Sequence, residues 1–166
     1  MADWAIHPEQ PGNAAAIASV ITAAFRDHPH SDGCEAAIVS ALREAGALTL
    51  SLVAEIDGTV VGHTAFSPVT ISDGTGGWFG IGPVSVLPAH QRKGIGGAMI
   101  REGLDRLKHM GAAGCTVLGD PAYYARFGYT HDPGLTYPAP MPEAFQQLGL
   151  SGSAPKGEVR YHPAFG

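Results

Sequence analysis

The chain has 166 residues, 45% hydrophobic and 15% charged, with a formal net charge of −5. That length makes one domain, residues 1–166, with a core large enough to need no disulfide or metal staple. The low charged fraction argues against intrinsic disorder, and the acidic balance removes the basic footprint that nucleic acid or an anionic membrane surface requires.

Met1-Ala2-Asp3-Trp4 has no basic leader region, and the apolar stretch 14–25 is too short to span a bilayer, so a cytoplasmic protein is expected. Ile17, Ile21, Ala24 and Phe25 share one face at helical spacing, which predicts a helix over 14–25 with Asn13 as its cap. Ile38, Leu42 and Ala45 predict a second helix over 33–45, with Asp32 and Glu35 as a capping box and Gly46 as its stop. His28-Pro29-His30 reads as a loop, because no further metal ligand stands at a useful spacing. The period then becomes two. Leu48, Leu50, Leu52 and Ala54 alternate with Thr49, Ser51 and Val53, Asp57-Gly58 marks a hairpin, and strands return over 59–67 and 78–86. Residues 94–110 predict a helix and 115–118 a short strand, so that the strands flanking this helix are parallel. Asp120-Pro121 opens another helix that Gly128 ends. A short helix around 143–148 and a strand near 158–161 complete the reading. Cys34 and Cys115 have no CxxC spacing, which excludes a disulfide framework, a zinc ribbon and a thioredoxin-type motif.

The segment from Val84 to Ala98 carries the most chemistry. A strand, Val84-Ser85-Val86, enters a loop with Arg92 and Lys93, and the loop enters a helix that begins Gly94-Ile95-Gly96-Gly97. Unpaired N–H groups, the positive end of a helix dipole and glycines that admit close approach make an anion site for phosphate or pyrophosphate. No Gly-Lys-Ser/Thr follows the glycines, so this is not a P-loop. A dinucleotide fingerprint fails at Met99, where its third glycine would stand, and the seven residues from Leu87 to Lys93 separate the strand from the glycines.

Gln91-Arg92-Lys93-Gly94-Ile95-Gly96 resembles the Gln/Arg-x-x-Gly-x-Gly/Ala signature of the GNAT superfamily of acetyl-CoA-dependent N-acetyltransferases. Tyr124-Ala125-Arg126-Phe127-Gly128-Tyr129 resembles the Tyr-x-x-hydrophobic-Gly-aromatic element after that family's fifth strand. The stretch Gly111 to Cys115 and Gly119 to Tyr124 is similar to the YhbS-like branch. The resemblance covers roughly residues 4 to 137. It implies an α/β fold with a mixed, mostly antiparallel sheet, split between the fourth and fifth strands, and helices on both faces. Gly82-Pro83 suits such a break, since Pro83 cannot donate a ladder bond.

The resemblance further implies acetyl transfer from acetyl-CoA, without a metal, to a primary amine of a small molecule or peptide, by direct attack in a ternary complex. Val84 would offer its N–H to the thioester carbonyl. The backbone of Val84, Ser85 and Val86 would face the pantetheine arm, and Gln91, Arg92, Lys93, Gly94, Ile95, Gly96 and Gly97 would hold the pyrophosphate. Tyr124 would protonate the departing thiolate. No carboxylate stands on strand 78–86, so the base is left among a water relayed by the Ser85 or Val84 carbonyl, Glu35 and His63. Alternatives are an inactive acyl-CoA-binding or regulatory module on the same fold and a dinucleotide-dependent oxidoreductase. No nucleic-acid or membrane partner is expected, and a homodimer is left open. Residues 138–142 and 145–156 are expected to shape the acceptor pocket.

Overall fold

Apolar alternation builds the sheet outward from one hairpin. β2 (Leu50–Ile56) and β3 (Thr59–Pro68) pair antiparallel. Their two turn residues, Asp57 and Gly58, have φ of 50° and 79°, the left-handed pair that a tight hairpin of this twist requires. The structure is a computed structural model that describes residues 3–29 and 31–166. β5 (Trp78–Val86) pairs antiparallel with β3. From β5, α3 (Ile95–His109) crosses to β6 (Gly114–Leu118), which is parallel to β5 as the spacing predicts.

Two further strands complete a six-stranded sheet ordered β1-β2-β3-β5-β6-β8. β1 (Ala5–Pro8) joins the outer edge of β2; four residues are too few to show a period, and the sequence reading did not foresee it. β8 (Phe145–Gly149) lies antiparallel to β6. Here a helix was expected, and only one short helical turn, Pro142–Ala144, precedes the strand. The unpaired edge of β6 decides the matter, because a partner there satisfies its backbone groups. Phe145–Gly149 is thereby a sheet strand beside β6. A second, small sheet joins β4 (Thr70–Ile71), β9 (Gly157–Arg160) and β7 (Leu135–Thr136).

Helices cover both faces. α1 (Ala14–Phe25) packs Ile17, Val20 and Ile21 on Val53 and Ala65. α3 packs Ile95 and Met99 on Ala54 and Val61, and Ile100, Leu104 and Leu107 on Phe66 and Ile81. Each such side chain, when fully buried, contributes roughly 1.5–3 kcal/mol. Both helix caps differ from expectation. Asn13 stands at the start of α1, but its carboxamide oxygen accepts from the Gln10 N–H at 2.7 Å instead of closing the first turn. α2 (Glu35–Glu44) begins two residues late, because Gly33 has φ of 81°, outside a right-handed helix. Asp32 instead accepts from the Cys34 N–H at 3.0 Å. α4 (Pro121–Tyr124) is capped as expected, Asp120 accepting from the Ala122 N–H at 3.0 Å.

The feature that matters for function is where β5 leaves β6. The two strands pair only at Trp78–Gly114, Phe79–Cys115 and Gly80–Thr116. Beyond Gly80, β5 stays with β3 through a register irregularity between Thr64 and Phe66, opposite Gly82-Pro83. Pro83 has no N–H for a ladder, and the cis Gly82-Pro83 peptide lies at this point. Among the described residues, no helix is long and apolar enough to cross a membrane.

Candidate active site

The start of α3 lines a cavity of about 340 Å³ with Val84, Val86, Gln91, Arg92 and Tyr123. Gly94 caps the helix at φ of 91°, a conformation that favours glycine. Arg92, at φ of 63°, turns the loop over the helix end. Ala98 is the first residue whose N–H reaches back along the helix, to Gly94, so the amides of Ile95, Gly96 and Gly97 have no intrahelical acceptor. A Cβ on Gly96 would meet nothing closer than the Tyr123 hydroxyl, at 3.7 Å. The glycine therefore leaves its backbone open to a ligand.

The strand amides point into the split. Leu87 N–H bonds to the Val61 carbonyl on β3. Alternation along an antiparallel strand then turns the backbone of Ser85 toward β3 and that of Val84 and Val86 away from it, to the side that β6 has vacated. Gln91 Nε2 donates to the Val86 carbonyl at 3.0 Å, tying the loop to the strand end. Val84, Val86, Gln91, Arg92, Gly94, Ile95 and Gly96 thus converge on one cavity. Ser85, Lys93 and Gly97 do not line it; the Ser85 side chain is buried on the opposite face.

Tyr124 stands beyond the end of β6. Its ring packs edge-on against Tyr129, with centroids 5.8 Å apart. It also lies so close to Gly119 that a Cβ there would fall 2.5 Å from the ring. Burial pushes its phenol up to about 12, so the hydroxyl remains protonated. Its neighbour Tyr123 packs against Phe127, with ring centroids 5.4 Å apart, and also lines the cavity. Arg126 lies 4.4 Å above the Tyr123 ring and donates to the Tyr123 carbonyl at 2.9 Å. His90 is a further cavity residue that the sequence reading missed, and its Nδ1 is buried with no protein partner. A loop histidine and one of two adjacent tyrosines carry no periodic signal, and only the fold shows where they face.

Of the possible bases, Glu35 is the first residue of α2 and lines a cavity of about 170 Å³ with Arg26 and Ser31. The Ser31 hydroxyl donates to it at 2.6 Å. His63 is fully buried on the α1 face of β3, and its Nε2 lies 2.8 Å from Ser51 Oγ. Burial pushes this imidazole down from 6.5 to about 4. The folded state therefore resists a proton that the unfolded chain accepts. The stabilisation is complete above about pH 6.5 and is lost as pH falls toward about 4, by up to about 3 kcal/mol. Glu9, held below the ordinary carboxylate range by its hydrogen bond from Arg43, acts in the same direction at lower pH. Urea midpoints should fall as pH drops across this window, and His63→Gln should flatten the dependence; a wild-type midpoint constant across it would contradict the assignment.

Cys115 is buried, accepts from the Tyr129 hydroxyl at 3.2 Å, and is pushed by burial up to about 12. It is a packed thiol, not a nucleophile. The His28 ring packs tilted against Phe25, with centroids 5.5 Å apart and planes at 57°, while His30 lies outside the described residues. Among the described residues, no group of three or more His, Cys, Asp or Glu side chains could hold a metal ion.

A parallel strand pair that separates at its C-terminal end, strand amides facing the gap and a glycine-rich helix start beside it make up the geometry of the site. A sequence model of the Acetyltransferase (GNAT) family matches residues 14–129. The chain belongs to that family, and its activity is that of an acetyltransferase. The uncharacterized N-acetyltransferase YhbS of Escherichia coli K12 is 38% identical, over 96% of this chain and 97% of that protein. The crystal structure of E. coli YhbS in complex with CoA superposes with a TM-score of 0.90 at 35% identity, covering 98% of this chain and 92% of that one. A GNAT family acetyltransferase from Brucella melitensis, crystallised with acetyl-CoA, is 52% identical with a TM-score of 0.87, covering 98% of both chains.

Proposed function

We propose that the chain transfers the acetyl group of acetyl-CoA to a primary amine by direct attack in a ternary complex. The observation that carries this reading is the separation of β5 from β6 after Gly80, which leaves the Val84 and Val86 amides facing a gap continuous with the Gly96 cradle. The free amides of Ile95, Gly96 and Gly97 would bind the pyrophosphate, with Arg92 and Lys93 adding positive charge. Val86 would pair with the pantetheine arm as a neighbouring strand would. Val84 N–H would donate to the thioester oxygen as it gains charge.

Tyr124 would donate to the sulfur that leaves. Its phenol, at about 12, lies above an ordinary thiol near 8.5. Complete proton transfer to a thiolate therefore runs uphill, and the hydroxyl acts first as a hydrogen-bond donor to the developing anion. The acceptor would approach from the face covered by α1 and α2, where Glu35 lines a cavity. The net charge of −5 favours a cationic amine, such as a polyamine, an aminoglycoside or a basic peptide end. Two free cysteines suit a reducing cytoplasm.

The test is release of free CoA from acetyl-CoA over a panel of such amines. At least one amine should support turnover with formation of its N-acetyl product. Acetyl-CoA binding without transfer to any of them would favour an acyl-CoA-binding module on the same fold.

A further inference from the structure

A primary amine must lose protons as it becomes an amide, and strand β5 offers no carboxylate or histidine to take one. On the opposite face of the sheet, side chains from α2, β2, β3 and the segment after β1 form a row whose hydrogen positions can be deduced. Arg43 grips Glu9 through two bonds, Nε to Oε2 at 2.7 Å and Nη2 to Oε1 at 2.8 Å, and so keeps the carboxylate ionised. An ionised carboxylate only accepts. The Ser51 hydroxyl, 2.5 Å from Glu9 Oε1, must therefore donate its single proton there. Toward His63 Nε2, at 2.8 Å, Ser51 Oγ can then only accept. Nε2 consequently carries the imidazole hydrogen, and Nδ1 is left as a bare lone pair. That Nδ1 is buried and has no protein partner.

Ser85 faces the same position. It is the register partner of His63 on β5, so the two side chains rise from one face with Cβ atoms about 5 Å apart. Its hydroxyl is likewise buried without a protein partner, and it follows Val84, whose amide faces the split. The charged groups bearing on His63 are Glu9 and Arg43. Both line an open cleft of about 310 Å³ together with Ser51, so the row ends at solvent.

We propose that His63 accepts the acceptor's proton through the Ser85 hydroxyl, and that Ser51 and Glu9 are positioning residues that hold it in the accepting tautomer. The inference rests on the acetyl-transfer reading above. As the amine nitrogen bonds to the thioester carbon it becomes acidic. One N–H bond breaks, the proton passes by way of Ser85 and a water molecule to Nδ1, and the electron pair stays on nitrogen in the new amide bond. The Nε2–H bond to Ser51 is kept throughout, and the negative charge of Glu9 counters part of the burial that disfavours the transient imidazolium. Nδ1 is buried, so its proton then leaves by the same Ser85 and water path. The carbon–sulfur pair leaves with CoA, so the reaction needs no oxidant or reductant.

Two measurements test this. In ¹⁵N NMR of the wild-type protein, His63 should show the Nε2–H tautomer; an Nδ1–H tautomer would overturn the proposal whatever the variants do. In steady-state kinetics with an accepted amine, Ser51→Ala should lower kcat about tenfold, a loss limited by water acting in its place, with acetyl-CoA affinity and the amine KM unchanged. Ser51→Thr, which retains the hydroxyl, should restore kcat. An unchanged kcat in Ser51→Ala, or a threonine variant no better than the alanine variant, overturns this inference and leaves the acetyl-transfer reading standing. A wild-type protein that transfers acetyl to no amine overturns both.

Discussion

Gly96→Glu is expected to abolish acetyl-CoA binding and to leave the fold intact. A Cβ at this position meets only the Tyr123 hydroxyl and a Val86 methyl, at 3.7 and 3.8 Å. Gly96 also lies in the first turn of a right-handed helix, without a positive φ. The new side chain therefore has room, and the room it takes is the cradle itself. Its carboxylate would stand among the free amides of α3, where the pyrophosphate is proposed to lie. Juxtaposed like charges cost several kcal/mol, which is more than about a hundredfold in Kd. Arg92→Ala should be much milder, because the backbone donors remain, and its effect should shrink as salt rises. Calorimetric titration of both variants with acetyl-CoA decides the point. Equal losses would show that side-chain charge, and not the helix backbone, holds the phosphates.

Tyr124→Phe should separate chemistry from binding. The substitution keeps the ring that packs against Tyr129 and beside Gly119, so the turn from Asp120 to Phe127 should hold. Removing one donor to a developing anion should lower turnover by about a hundredfold. The fall should appear in both kcat and kcat/KM, since the donor is needed only in the transition state. Acetyl-CoA affinity should stay within a few-fold. Tyr123→Phe is the control: its hydroxyl lines the cavity near Gly96, so its loss should weaken cofactor binding more than turnover. The reverse pattern, with Tyr123→Phe losing turnover and Tyr124→Phe unaffected, would transfer the donor role to Tyr123.

How much of this was legible in advance depended on whether the signal was local. Asp57-Gly58 dictates its hairpin, because few residue pairs accept two positive φ angles. The glycine-rich start of α3 is legible on its own as a helix start with an open backbone. Phe145 to Leu148 misled, since an apolar pair three residues apart suits a helix turn as well as a strand, and the free edge of β6 decided between them. Ser85 sits inside the strand that borders the β5/β6 gap, yet strand alternation turns its side chain away. Glu9, Arg43, Ser51 and His63 come from four separate segments, so no spacing rule could bring them together; register and burial did.

The most direct measurement of the central claim is the melting temperature of the wild-type protein with and without acetyl-CoA. At about a hundred times the dissociation constant, binding to the native state alone adds about 2.7 kcal/mol of stability. For a domain of this size that is a rise of roughly 5–10 °C. CoA should act similarly and NAD should not. No shift with acetyl-CoA or CoA, in correctly folded protein, would contradict the assignment of the β5/β6 gap and the Gly96 cradle to this substrate.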